Sequence, residues 1–237
     1  MATATTTAQG SDPRPGRREL ILLGGGEHAR VVTDAVRSVN GAWQLIGFVD
    51  EEAAGHPHEL DGLPRLGDDD WLSESINVGQ AGEGWWLVGA VGDGQARRRL
   101  AQRFGTARWA TIVHAAAWVS PSATLRPGAV VLAGAVVNAG AFCGEHAIVN
   151  SGAVVEHDVV VGAFSHVAPG AVIGGGTAVG EGAFIGLGAR VRDHVSVGPH
   201  AVVGMGAVVV ADVPAFATVI GVPARLVVRA HGGGSAQ

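Results

Sequence analysis

At 237 residues, 16% of them charged and with a formal net charge of −5, the chain is long enough for one or two compact domains and offers no basic field to nucleic acid or anionic lipid. A single cysteine, Cys143, excludes an intramolecular disulfide framework and fits a reducing, cytoplasmic setting. All 16 cationic side chains are arginine, which closes lysine Schiff-base chemistry and lysine-dependent phosphate loops, and no stretch approaches the roughly 20 apolar residues of a membrane span.

Residues 1–18 mix Thr, Ala, Pro and Arg around no apolar segment and read as a disordered leader rather than a signal peptide. From 19 to 108, short apolar runs alternate with amphipathic segments, the pattern of βαβ units in a Rossmann-like α/β domain. Strands are expected at 19–23, 45–49 and 86–91. Helices are expected at 28–38, 69–75 and 94–104, the last with Arg97, Arg98, Arg99 and Arg103 mainly on its wet face. Residues 77–84 read as a flexible loop. The turn Gly24-Gly25-Gly26-Glu27-His28-Ala29 follows a strand and opens a helix. Gly24, Gly26 and Ala29 fit the dinucleotide fingerprint, and Asp50 lies where a ribose-binding acid belongs. NAD is therefore one reading of this turn, and a plain tight βα turn is another.

After Thr111 the pattern becomes a strict period of six. Seventeen hexads run from Ile112 to Val213. Their second position is aliphatic in all but one, where Cys143 stands; the sixth is mostly Ala, and the fifth is often Gly. A strand that turns a corner every six residues points one aliphatic side chain inward per hexad and needs small residues at its bends, so three hexads close one coil of a narrow prism. A β-sandwich or barrel would not hold this phase without an insertion. The prism domain is expected over 109–227, with a flexible tail at 228–237. Cys143 reads as a small core hydrophobe.

These hexads, together with Leu22 to Val32, Ile46-Gly47-Phe48-Val49-Asp50, Glu156-His157-Asp158 and the ending Gly221-Val222-Pro223-Ala224-Arg225, resemble the hexapeptide-repeat acyltransferases. The likeness is closest to the two-domain branch that N-acetylates nucleotide-linked amino sugars and includes the sialic acid O-acetyltransferases. The resemblance implies that the prism is a left-handed parallel β-helix, since the repeat alone does not set the hand. It further implies a homotrimer with active sites between neighbouring prisms, and acetyl-CoA and a sugar as substrates.

The resemblance carries the catalytic histidine onto His157. An imidazole that titrates near neutrality can take the proton an amine must lose, and Asp158 beside it would orient the ring. Asp158 stands where the family often has Glu. Asn150 is carried over as a polar partner for substrate. Gly175, one coil above His157, falls where the thioester binds and its backbone N–H would hold the oxyanion. His166 is placed on the thioester side, Gly204 and Met205 on the pantetheine arm, and Arg225 on a CoA phosphate. Gly24, Gly26, His28, Asp50 and Glu51 match the family's sugar-nucleotide positions. Glu27 replaces a usual glycine, and an added anion beside a diphosphate weakens its binding, so a free or differently linked sugar stays open.

Other readings remain at this point. A hydroxyl acceptor would make the same base serve an O-acetyltransferase, and a non-catalytic β-helix scaffold that binds a sugar nucleotide has the same repeat. His146, His194 and His200 raise a zinc site like that of the trimeric β-helix carbonic anhydrases, but their spacing does not match, and no metal is expected.

Overall fold

The computed structural model describes residues 18–39, 41–51, 58–77 and 84–227. Residues 1–17 of the expected leader, most of the expected 77–84 loop and the expected tail lie outside them, while Arg18, placed at the end of that leader, instead opens the first strand. The first domain opens with β1 (Arg18–Leu23), α1 (Glu27–Ser38) and β2 (Trp43–Val49). A small hairpin of β3 (Glu59–Leu60) and β4 (Leu63–Gly67) follows, then α2 (Asp69–Asn77), β5 (Trp86–Gly89), α3 (Gly94–Arg103) and β6 (Arg108–Trp109). The sheet order is β3-β4-β2-β1-β5-β6, parallel except for the β3/β4 pair. β6 runs one residue past the expected domain boundary. The chain order reverses around β1, between β2 and β5, so the carboxyl ends of these strands open a crevice of the kind that receives ligands in open α/β sheets. α1 turns Ala29, Val32, Ala35 and Val36 inward at helical spacing.

From Ile112 the chain winds as a left-handed parallel β-helix. Two-residue strands stack into three flat faces. Face 1 begins at Ile112–Val113, face 2 at Trp118–Val119 and face 3 at Thr124–Leu125, and each strand pairs in parallel with the one 18 residues later. The second hexad position points inward, and from Val131 to Val209 every one of these side chains is buried, Cys143 among them. The sixth-position alanines fill the space between. Interiors pack to crystal-like density, so neither column tolerates a change of volume.

The fifth position is the left-handed corner. Nine of these corners are glycine, and at five others a side chain adopts the same positive φ: His146, Asp158, Phe164, His194 and His200. Such a conformation costs an L-residue about 1–2 kcal/mol, which makes these corners places to look for a purpose.

The expected phase breaks near its end. Val213 bridges Val197, sixteen residues back, and Thr218 pairs with Val202 at the same offset, so the seventeenth hexad is two residues short. Thr218–Ile220 then pairs antiparallel with Arg225–Leu226 across the top of face 1.

The first domain sits on the lower half of face 1. Leu20, Leu22, Val32, Phe48 and Val88 share one apolar cluster with Ile112, Val130, Leu132 and Ile148. The wet face expected for the α3 arginines is corrected at Arg97, which is 1% exposed and wedged against the prism. Its spacing from Leu100 and Phe104 is that of the inward side of the helix.

Candidate active site

The corner between faces 2 and 3 carries His157. Its Nδ1 lies 3.0 Å from Asp158 Oδ2, and the ring rests over Gly175 of the next coil. A Cβ on Gly175 would stand 2.6 Å from His157 Nε2, so only glycine leaves the ring its seat. Gly140 admits Asp158 in the same way, since a Cβ there would meet Oδ1 at 2.5 Å. Glu156, part of the motif but given no role of its own from the sequence, accepts a hydrogen bond from Asn138 Nδ2 at 3.0 Å and one from the His157 amide at 3.4 Å. The Gly175 carbonyl accepts from the His194 amide, whereas its N–H makes no hydrogen bond among the described residues. This corner thus pairs an exposed imidazole, oriented by a carboxylate, with an unspent backbone donor one coil above.

The other expected residues of the prism lie on face 1 and its corner with face 2. His166 is on face 1. Its Nδ1 is 3.0 Å from the Gly92 carbonyl and its Nε2 is 2.9 Å from Asn150 Nδ2, while Asn150 Oδ1 accepts from the Ser151 amide at 2.7 Å. A carbonyl offers no proton, so Nδ1–H donates to Gly92 and Nε2 accepts from Asn150. Burial first, and then the nearby Arg97 and His28, outweigh that hydrogen bond and hold the His166 pKa down at about 4. Above this pair rise Gly204, packed against Ile220, and the exposed Met205; Arg225 is exposed on the terminal hairpin.

One chain therefore does not bring all of these expected residues together. A coil is eighteen residues, and His166 follows His157 by nine, half a turn of the prism. Gly175, nine further on, returns to the His157 corner. That corner is the vertex opposite face 1, so His157, Asp158 and Gly175 stand on one side of the prism and Asn150, His166, Gly204 and Met205 on the other.

In the first domain, Gly24, Asp50 and Glu51 line a crevice of about 340 Å3 with Val91, Asp69, Arg99 and Arg103. Asp50 Oδ2 accepts from the Gly25 amide at 3.0 Å and Oδ1 from the Glu51 amide, so this carboxylate braces the glycine turn. Burial, opposed by Arg103 and reinforced by Glu51, raises the Asp69 pKa. Gly26 lies at the start of α1 with Glu27 exposed beside it. His28 turns away from the crevice toward the prism. Its ring is 6.0 Å from that of His166, its Nε2 is buried without a hydrogen-bond partner among the described residues, and burial, then Arg97, lower its pKa to about 4. A cleft of about 510 Å3 opens next to His166, between Gly92 to Gln95 and Phe164, Phe184, His200 and Val202.

The PglD N-terminal domain family matches residues 19–104. A mutant perosamine N-acetyltransferase from Caulobacter crescentus, solved with CoA and GDP-perosamine, is 37% identical with a TM-score of 0.81, the match covering 88% of this chain and 96% of that one. The acetyltransferase domain of PglB from Neisseria gonorrhoeae, solved with acetyl coenzyme A, is 34% identical with a TM-score of 0.82, covering 90% and 100%. This chain belongs to the hexapeptide-repeat sugar acetyltransferases. WeeI from Acinetobacter baumannii, 18% identical with a TM-score of 0.59 over 88% of this chain and 99% of its own, shares the fold. No curated protein matches the sequence.

In this acetyltransferase the three histidines considered for zinc stand apart. His146 and His200 occupy the corner between faces 3 and 1, three coils from each other, and His194 the corner of faces 2 and 3. His146 is buried between Trp109 and Phe164, its ring centroid 4.5 Å and 5.1 Å from theirs, and burial, then Arg97, depress its pKa to about 4. No helix among the described residues is long and apolar enough to cross a membrane.

Proposed function

We propose that the protein transfers the acetyl group of acetyl-CoA to the amine of an amino sugar, carried as a nucleotide conjugate in the first-domain crevice, with His157 as general base. The observation that carries this reading is the His157 seat: a ring fixed by Asp158 at Nδ1, leaving Nε2 over Gly175. The sugar amine attacks the thioester carbonyl carbon and loses its proton to His157 Nε2. The Gly175 N–H donates to the oxyanion, the C–S bond breaks, and the proton passes on to the departing sulfur to give the amide and free CoA. No covalent enzyme intermediate is involved.

The opposed halves support a cyclic trimer in which the His157 corner of one prism meets the Asn150–His166 flank of the next. Phe142 and Val160, exposed on face 3 next to that corner in the lone chain, fit a covered surface. The complexes of the Caulobacter and Neisseria proteins with CoA, GDP-perosamine and acetyl-CoA support the substrate classes.

The test is thiol release from acetyl-CoA across a panel of nucleotide-linked and free amino sugars, with the product treated with hydroxylamine. An amide survives, whereas a labile product makes the enzyme an O-acetyltransferase. CoA binding with turnover of no acceptor, or full activity in His157→Ala, would overturn the mechanism.

A further inference from the structure

Arg97 is the largest buried polar side chain among the described residues, and its surroundings are unusual in chemistry. All five guanidinium donors are spent on main-chain carbonyls: Nε on His146, Nη1 on Val91 and Gly92, and Nη2 on Phe164 and Ser165, at 2.8–3.0 Å. Among the described residues no carboxylate bonds it. Two of these carbonyls belong to the loop that leaves β5, and three to the prism corner between faces 3 and 1. The same cation thus fastens the first domain to the β-helix.

The Gly92 carbonyl has a second donor, His166 Nδ1–H at 3.0 Å. The Ser165 carbonyl held by Nη2 is in the peptide bond that leads into His166. Arg97 consequently fixes both the acceptor that sets the His166 tautomer and the backbone that sets its ring position. Through Nε2, His166 then orients the Asn150 amide, whose oxygen is tied to the Ser151 amide. Charged and titratable groups facing this ring are His28 from α1 and Arg97 from α3, with Asp93 and His200 lining the same cleft.

We propose that Arg97 is a positioning residue: it locks His166 as the neutral Nδ1–H tautomer and thereby presents Asn150 to the substrate in a single orientation. One side chain thus serves both the docking of the two domains, beside their shared apolar cluster, and the alignment of this half of the site. The consequence for turnover rests on the acetyl-transfer reading, while the tautomer lock does not.

The experiment is long-range proton–nitrogen NMR on protein with 15N-labelled histidine, from pH 5.5 to 8, using His166→Gln to assign the signal. His166 is expected as the Nδ1–H neutral form throughout; an Nε2–H form, or titration within this range, overturns the proposal. Arg97→Lys keeps the charge but has three donors for five carbonyls. In folded Arg97→Lys the His166 signals of the two tautomers are expected to mix, with kcat down about 10- to 100-fold and KM for acetyl-CoA within about threefold. An unchanged tautomer and kcat in that variant would also overturn it. If no acceptor is ever acetylated, the function fails and the spectra still decide the lock.

Discussion

The seat under His157 can be removed with a single methyl group. In Gly175→Ala the new Cβ would stand 2.6 Å from Nε2 and 2.7 Å from Cε1, whereas ordinary contact begins at 3.4 Å, so the ring must move by at least about 0.8 Å. The ring is exposed and has solvent to move into, and Gly175 does not lie in the left-handed region, so its backbone accepts alanine. The variant should therefore fold with a melting temperature within about 2 °C of the parent. Misplacing a reacting group by roughly 1 Å costs on the order of 100-fold in rate, or about 2.7 kcal/mol of transition-state stabilisation. Gly134→Ala supplies the contrast. Gly134 has φ +68°, and a methyl there would meet no atom closer than 3.9 Å, so alanine brings strain without touching the site. That strain of about 1–2 kcal/mol should lower the melting temperature by roughly 3–6 °C and leave kcat unchanged. Thiol-release kinetics and differential scanning fluorimetry on both variants measure the two effects. A folded Gly175→Ala enzyme that keeps kcat within about threefold would refute the assignment of His157 as base.

Three further outcomes follow from the same geometry. In a cyclic trimer whose sites combine two chains, co-expressing His157→Ala with His166→Ala leaves about a quarter of the interfaces with both native halves, so mixing two inactive variants should restore roughly that share of wild-type turnover. No recovery from verified mixed trimers would place the halves in one chain. His146, depressed from 6.5 to about 4, binds its proton in the unfolded chain first; its neutral form contributes fully above pH 6.5 and its stabilisation is lost as pH falls toward 4, by on the order of 3 kcal/mol. Melting temperatures at pH 7 and pH 5 should therefore differ less in His146→Phe than in the parent, and equal slopes would contradict this. Cys143 is buried with its thiol pushed up to about 12, so Ellman's reagent should leave the native protein unlabelled and react on unfolding in urea. Stoichiometric labelling of the native protein would show the inner column to be open.

The prism was legible because its corners constrain the chain at every sixth residue, and packing then repeats that demand at the second and sixth positions. The break near the top was not, because Val213 is aliphatic and suits either the sixth position of a full hexad or the second position of the shortened coil it in fact occupies. β3 and β6, two residues each, are too short to show a period. His157 and Asp158 stood out as departures from the repeat, and the structure brings them together. Glu156 was read only as part of the motif around His157, although Asn138, its partner, lies one coil below it at the same hexad position. The opposition of His157 and His166 was available from arithmetic alone, since nine residues are half a coil. Arg97 lay hidden among its arginine neighbours, for charge suggests a wet face, and only its spacing with Leu100 and Phe104 points inward. Nothing in the glycine turn foretold that His28 would turn to the prism, because that depends on how the two domains dock.

A stack of identical coils has no intrinsic last member: every top edge offers the same row of donors and acceptors that the next coil would take up, and two such edges from different molecules match as well as successive coils do. The short final coil and the antiparallel pair Thr218–Ile220 with Arg225–Leu226 give this edge a different spacing and direction over face 1. The length of the prism is accordingly written in its terminator and not in its repeat. Coils can be gained or lost below it without exposing a growing end, which leaves a lineage free to alter the height of the active-site wall while keeping the molecule from elongating into a fibre.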